Sequence, residues 1–188
     1  MVAGLPGPRQ APLLWGSGIV SAGLLAWMNL GFASPFAGLT GGRAMPDLDI
    51  ETTAQSLFGL RSVLETRPEA AELLRAMHLG PDLVLPAALS LFLFLLMRRV
   101  VPGASLYGRP AERLLPMLLT LPIAYGVIDY IENISSLMLF PPSIPAPAMA
   151  DLLAGALVWL TRLKFLFLVV SVILILRLAF GPKAHAQD

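Results

Sequence analysis

The stretch Tyr125-Gly-Val-Ile-Asp129-Tyr-Ile-Glu132-Asn133-Ile-Ser-Ser136 decides the fold. It lies inside an apolar run over residues 114–140, which exceeds the about 20 residues a helix needs to cross a bilayer. Glu132 and Asn133 stand three and four residues after Asp129, with Tyr125 one turn before and Ser136 one turn after. All five therefore share one face of a helix. A carboxylate exposed to lipid costs about 2.5 to 3.5 kcal/mol on insertion scales. Both acids must then face other helices, water or a cation, and Thr161-Arg162-Leu163-Lys164 supplies the cation from a later apolar run.

Composition agrees with a membrane setting. Of 188 residues, 56% are hydrophobic and 13% charged, against roughly 25% charged in soluble domains, and the mean hydropathy is +0.76. The length suits one membrane domain, residues 1–188. A net charge of +1 without a basic, aromatic-interleaved stripe argues against nucleic acid as a partner. The absence of cysteine removes disulfides, iron–sulfur ligation and thiol catalysis. His78 and His185 lie outside the apolar runs, so no haem or histidine-rich metal site is expected, and no other cofactor is indicated.

Working outward, four spans are predicted at about 11–32, 81–99, 114–140 and 149–180, giving an all-α, four-helix polytopic fold. The first contains Gly16, Gly18, Ser21, Ala22 and Gly23, small residues that let another helix approach closely. A signal peptide cleaved near Gly31-Phe-Ala33 is the rival reading, but the apolar stretch exceeds the usual signal core of about 7 to 15 residues. Residues 34–46 read as irregular, with Pro35, Gly38, Gly41, Gly42 and Pro46. A short extramembrane helical segment at about 46–80 follows. One amphipathic helix is expected over 50–64, with Ile50, Ala54, Leu57, Phe58 and Leu64 on one face. A second is expected over 68–79, opened by a capping box at Thr66-Arg-Pro-Glu69 and closed by Gly80. Both would lie on the bundle end or the membrane surface. Asp82, at the start of the second span, suits the positive end of the helix dipole. The uncharged turn Pro141-Pro-Ser-Ile-Pro-Ala-Pro returns the fourth span beside the third.

Basic residues set the orientation. The short 98–113 loop holds Arg98, Arg99, Arg109 and Arg113 against Glu112, whereas 34–80 holds four arginines and six acids. The arginine loop is expected in the cytoplasm together with both termini.

At 1.5 Å per residue, Asp129 and Lys164 lie roughly 16 and 20 Å from the proline-turn side. Their side chains lean toward each other in antiparallel neighbours. Arg162 is about 200° around the helix from Lys164, so one face cannot hold both. The expected buried polar cluster comprises Tyr125, Asp129, Glu132, Asn133, Ser136, Thr161, Arg162 and Lys164, with Lys164 as the preferred partner of the acids. Such a cluster can simply fix helix packing. It can also move protons, in which case Asp129, Glu132 and Lys164 are the catalytic candidates. No HExxH, GxSxG, P-loop or Rossmann pattern accompanies it.

Four short motifs together carry a resemblance. Met45-Pro46-Asp47-Leu48, Asp82, Asp129-x-x-Glu132-Asn133 and Thr161-x-x-Lys164 resemble the pattern of an uncharacterised family of small bacterial four-helix integral membrane proteins, over most of the chain after Gly42. The long, charge-free proline turn departs from that pattern. The resemblance implies the four-span topology and a bacterial inner (cytoplasmic) membrane, and assigns no activity.

Three functions fit these residues. The leading one is a non-enzymatic accessory, assembly or scaffold subunit that packs its first span or amphipathic segment against a larger membrane complex or a second copy. The second is a membrane enzyme performing acid–base chemistry on a lipid or isoprenoid, which a cavity beside the acids, open to lipid, would favour. The third is a small proton-coupled carrier, against which stands the lack of an internal repeat.

Overall fold

The computed structural model describes residues 10–106 and 108–181. The chain is an all-α, multi-pass membrane protein with four helical stretches long and apolar enough to cross a bilayer: Ala11–Leu39, Pro68–Val100, Ala111–Leu139 and Pro147–Phe180. The expectations on His185 and the chain ends lie outside the described residues.

Helix α1 (Gln10–Met28) runs through a π-helical turn at Asn29–Ala33 into α2 (Ser34–Leu39). The helix therefore continues past the point where 34–46 was read as irregular. Pro35 has no N–H, and its ring crowds the carbonyl four residues back. A widened turn, in which the Ser34 N–H donates to the Asn29 carbonyl, lets the helix absorb that proline rather than stop. The chain reverses at Gly41 and Gly42, whose φ of 72° and 89° favour glycine, and passes through a 3₁₀ turn at Pro46–Leu48.

The two helices expected in the segment between the first two spans are α3 (Ala54–Thr66) and α4 (Pro68–Leu79), the second of which is continuous with the apolar stretch Pro68–Val100. The capping box is at Thr53, not Thr66. The Ser56 N–H donates to Thr53 Oγ1 at 3.1 Å, and the Thr53 N–H donates to Ser56 Oγ at 2.9 Å. Helix α3 thus starts at Ala54 and leaves Ile50 outside, 53% exposed. Thr66 closes α3, and α4 opens on Arg67 and Pro68 with no side-chain cap. Neither helix merely rests on a surface. Leu57, Leu60 and Leu64 of α3 and Leu74 and Met77 of α4 are buried in one apolar core with Phe36, Met45, Leu139 and Ala154.

Gly80 breaks the chain direction before α5 (Pro81–Val100). A two-stranded antiparallel hairpin, β1 (Ser105–Leu106) with β2 (Arg109–Pro110), forms the arginine loop. Helices α6 (Leu115–Leu139) and α7 (Pro147–Phe180) complete the bundle. Helix α1 packs on α5, α5 on α6 and α6 on α7, whereas α1 and α7 do not pack along their lengths. Gly126 makes the α5–α6 approach possible, because a Cβ there would collide with Ser90 Oγ and lie 3.4 Å from the Pro86 carbonyl oxygen. Along α6 and α7 the polar residues lie between the core already described and a second one at the arginine-loop end, built on Leu93, Met97, Leu118 and Leu178.

Candidate functional site

The Asp-x-x-Glu spacing of α6 and the Thr-x-x-Lys spacing of α7 face each other. Lys164 Nζ is 3.0 Å from Asp129 Oδ1 and 2.6 Å from Glu132 Oε2. The first contact is an aligned hydrogen bond; the second is close but lacks hydrogen-bond alignment, leaving Glu132 Oε2 held by charge alone. Thr161 Oγ1 lies in hydrogen-bond reach of Glu132 Oε1 and of the Leu157 carbonyl, and its single proton serves one at a time. Tyr125 donates its phenolic proton to Asp129 Oδ2 at 3.0 Å. Asp129, Glu132 and Lys164 are 2%, 1% and 8% exposed, so each charge depends on the others rather than on water.

Arg162 does not join the expected cluster. It is half-buried, with its guanidinium 5.6 Å from the centre of the Trp159 ring. Helical geometry turns it away from the face that carries Lys164, and the indole provides a cation–π partner instead.

A second polar group adjoins the first and involves a residue the sequence placed outside the spans. His78, in the last turn of α4, is 1% exposed. Its Nδ1 is 2.9 Å from Asp82 Oδ2, and its Nε2 is 2.9 Å from Ser136 Oγ. Asp82 does occupy the first turn of α5, but its carboxylate answers to His78 and caps no amide. The available signal was the i, i+4 spacing of His78 and Asp82, which the break at Gly80 between α4 and α5 hid from a reading by helical period. Asn133 has a distinct task. Pro86 cannot donate to the Asp82 carbonyl four residues before it, and Asn133 Nδ2 donates to that carbonyl at 3.2 Å.

Beside these groups is a cavity of about 120 Å³. Its polar wall consists of Asp47, Asp82, Tyr125, Asp129 and Lys164. Asp47, from the Pro-Asp-Leu turn, is 4% exposed. Its Oδ1 has no hydrogen-bond partner, and it makes no ion pair among the described residues. Leu25 of α1, Asn29 of the π-helical turn, and Phe165 and Leu168 of α7 also line it; Leu25 is 41% exposed, and α1 and α7 leave a gap over α5. Among the described residues, no three His, Cys, Asp or Glu side chains converge as a metal-binding group.

Of the sequence-predicted residues, Tyr125, Asp129, Glu132, Thr161 and Lys164 come together at one point, Asn133 and Ser136 belong to the His78–Asp82 group, and Arg162 stands apart. Comparison with known protein families, with curated proteins and with solved structures found no match for this chain.

Proposed function

We propose that this protein performs acid–base chemistry on an amphiphile that enters sideways from the bilayer between α1 and α7. The observation that carries this reading is the cavity itself, polar where Asp47, Asp82, Tyr125, Asp129 and Lys164 line it and bordered by the exposed Leu25 in the gap between α1 and α7, a side that lipid would cover in a multi-pass bundle. A packing lock needs one acid and one base. Here four carboxylates, Asp47, Asp82, Asp129 and Glu132, accompany one lysine and one histidine, and two pairs of them leave a wall facing empty space. Asp129, fixed by Lys164 and Tyr125, is the proton acceptor. His78, bonded to Asp82 through Nδ1 and to Ser136 through Nε2, exchanges the proton onward in this reading. The volume admits about four waters, and so takes the polar end of an amphiphile while its tail stays in the gap. The setting is a bacterial inner membrane, with the arginine hairpin and both termini in the cytoplasm, supported by the arginine excess of 98–113 at the bundle end opposite α3 and α4.

The test is the lipid profile of cells lacking the protein, complemented with wild type or with Asp129→Asn, together with the lipid extracted from purified protein. The expected result is one amphiphile retained by the purified wild type, and the same species or its precursor accumulating with Asp129→Asn. Bulk membrane lipid only, with identical profiles in all cells, would overturn the reading.

The accessory-subunit reading keeps one supporting observation. Gly16 and Gly23 of α1 have open space where a side chain would stand, whereas Gly18 packs against Phe92 and Ser21 is buried within the chain. A complex seated on that face would be lost on Gly16→Leu with Gly23→Leu, and retention of a single copurifying partner by wild type alone would favour it over the enzyme.

A further inference from the structure

The polar wall of the cavity is not neutral. Lys164 faces two carboxylates, Asp129 and Glu132, within 3.0 Å. Asp82 is taken by His78. Asp47 remains, buried to 96% by its 4% exposure, with Oδ1 unpartnered and its side chain lining the same cavity. Acids therefore exceed bases around the space, and among the described residues the one lining acid without a counter-charge is Asp47, contributed by the Pro46–Leu48 turn. An isolated carboxylate away from water is costly and calls for a positive partner.

We infer that the end of the amphiphile that occupies this cavity is a protonated amine, held by Asp47. The inference rests on the sideways-entry reading above and specifies its ligand. An ammonium is small enough for a space of about 120 Å³, donates up to three hydrogen bonds, and meets Asp47 on one side and Asp129 on another. A phosphate or carboxylate end would meet those same acids, with Lys164 already shared between two of them, and is rejected. The alkyl chain leaves along Leu25 and Leu168, which offer apolar surface and no donor.

The experiment uses the full chain in phosphatidylcholine nanodiscs at pH 7.5, where an alkylamine is protonated, and three probes of equal chain length: dodecylamine, dodecanol and dodecanoate. The readout is the thermal unfolding midpoint as each probe is added. Dodecylamine should raise the midpoint saturably, at concentrations at least tenfold below those required by the other two. Asp47→Asn should abolish the preference, Asp47→Glu should keep it, and Leu25→Trp at the mouth should weaken binding of every probe. If all three probes stabilise equally and Leu25→Trp blocks them, sideways entry stands and the amine assignment falls. If dodecanoate is preferred, Lys164 rather than Asp47 governs the cavity and the assignment is wrong. If no probe stabilises wild type, both readings fall. Should Asp47→Asn not fold, the preference of wild type and Asp47→Glu for the amine still decides the matter.

Discussion

Replacing Lys164 by Met removes a cation that lies 3.0 Å from Asp129 and 2.6 Å from Glu132, and leaves two carboxylates that are 2% and 1% exposed without a counter-charge. Breaking a buried pair in this way costs about 3 to 5 kcal/mol. The converse change, Asp129→Asn with Glu132→Gln, strands Lys164 and should cost about the same. Added together these come to about 6 to 10 kcal/mol. The triple variant has no charge left to strand, keeps an acceptor for the Tyr125 and Thr161 hydroxyls, and should cost less than about 2 kcal/mol, because neutral replacement of a buried ionic group is often tolerated. Unfolding free energies from titration with a denaturing detergent, followed by tryptophan fluorescence, measure all three. Arg162→Leu is the control, expected to cost less than about 1 kcal/mol, since it forfeits only the contact with Trp159. A triple variant whose cost equals the sum of the separate changes to within about 0.5 kcal/mol would show that the groups are uncoupled and refute the reasoning.

Three further outcomes are expected. Asn133→Leu should cost about 1 to 3 kcal/mol by leaving the Asp82 carbonyl unsatisfied; the same change should cost much less beside Pro86→Ala, whose N–H takes that carbonyl back, and equal costs in the two backgrounds would contradict the assigned role. Gly126→Ala should destabilise by about 1 to 3 kcal/mol as its methyl meets Ser90 Oγ, and Ser90→Ala should recover part of the loss in a double-mutant cycle. Single cysteines at Ser62 and Ser143 should react with an impermeant thiol reagent on intact cells while one at Ser105 should not, and outside labelling of Ser105→Cys would reverse the orientation.

Much of the architecture was legible because a bilayer leaves backbone few choices. A span must satisfy its own amides, so apolar length alone locates the four crossings, and Pro81, Gly80 and the proline turn bound α5 and α7 within a residue or two of expectation. The errors fell where a local signal had two physical outcomes. Pro35 can end a helix or be absorbed by a π turn, and the choice depends on the packing of Phe36, which is fully buried against α3 and α4. Thr66 and Thr53 both stand three residues before a side chain able to return the bond, Glu69 and Ser56, and only Ser56 does so, because Thr66 is still in the last turn of α3.

The sequence by itself determined that Asp129 and Glu132 share a helix face, that Lys164 is their preferred partner ahead of Arg162, and that the two helices run antiparallel. Each of these follows from a fixed helical period and a short turn. Only the tertiary structure decided that His78 and Asp47 belong to the same site. His78 is placed by the angle the chain takes at Gly80 and by a contact with Ser136, 58 positions away. Asp47 lines the cavity with Asp82 of α5 and Asp129 of α6, more than thirty residues distant in the chain. The cavity exists because α1 packs on α5 and not on α7. No periodicity encodes such juxtapositions, since they arise from how packed helices divide space rather than from the order of residues along any one of them.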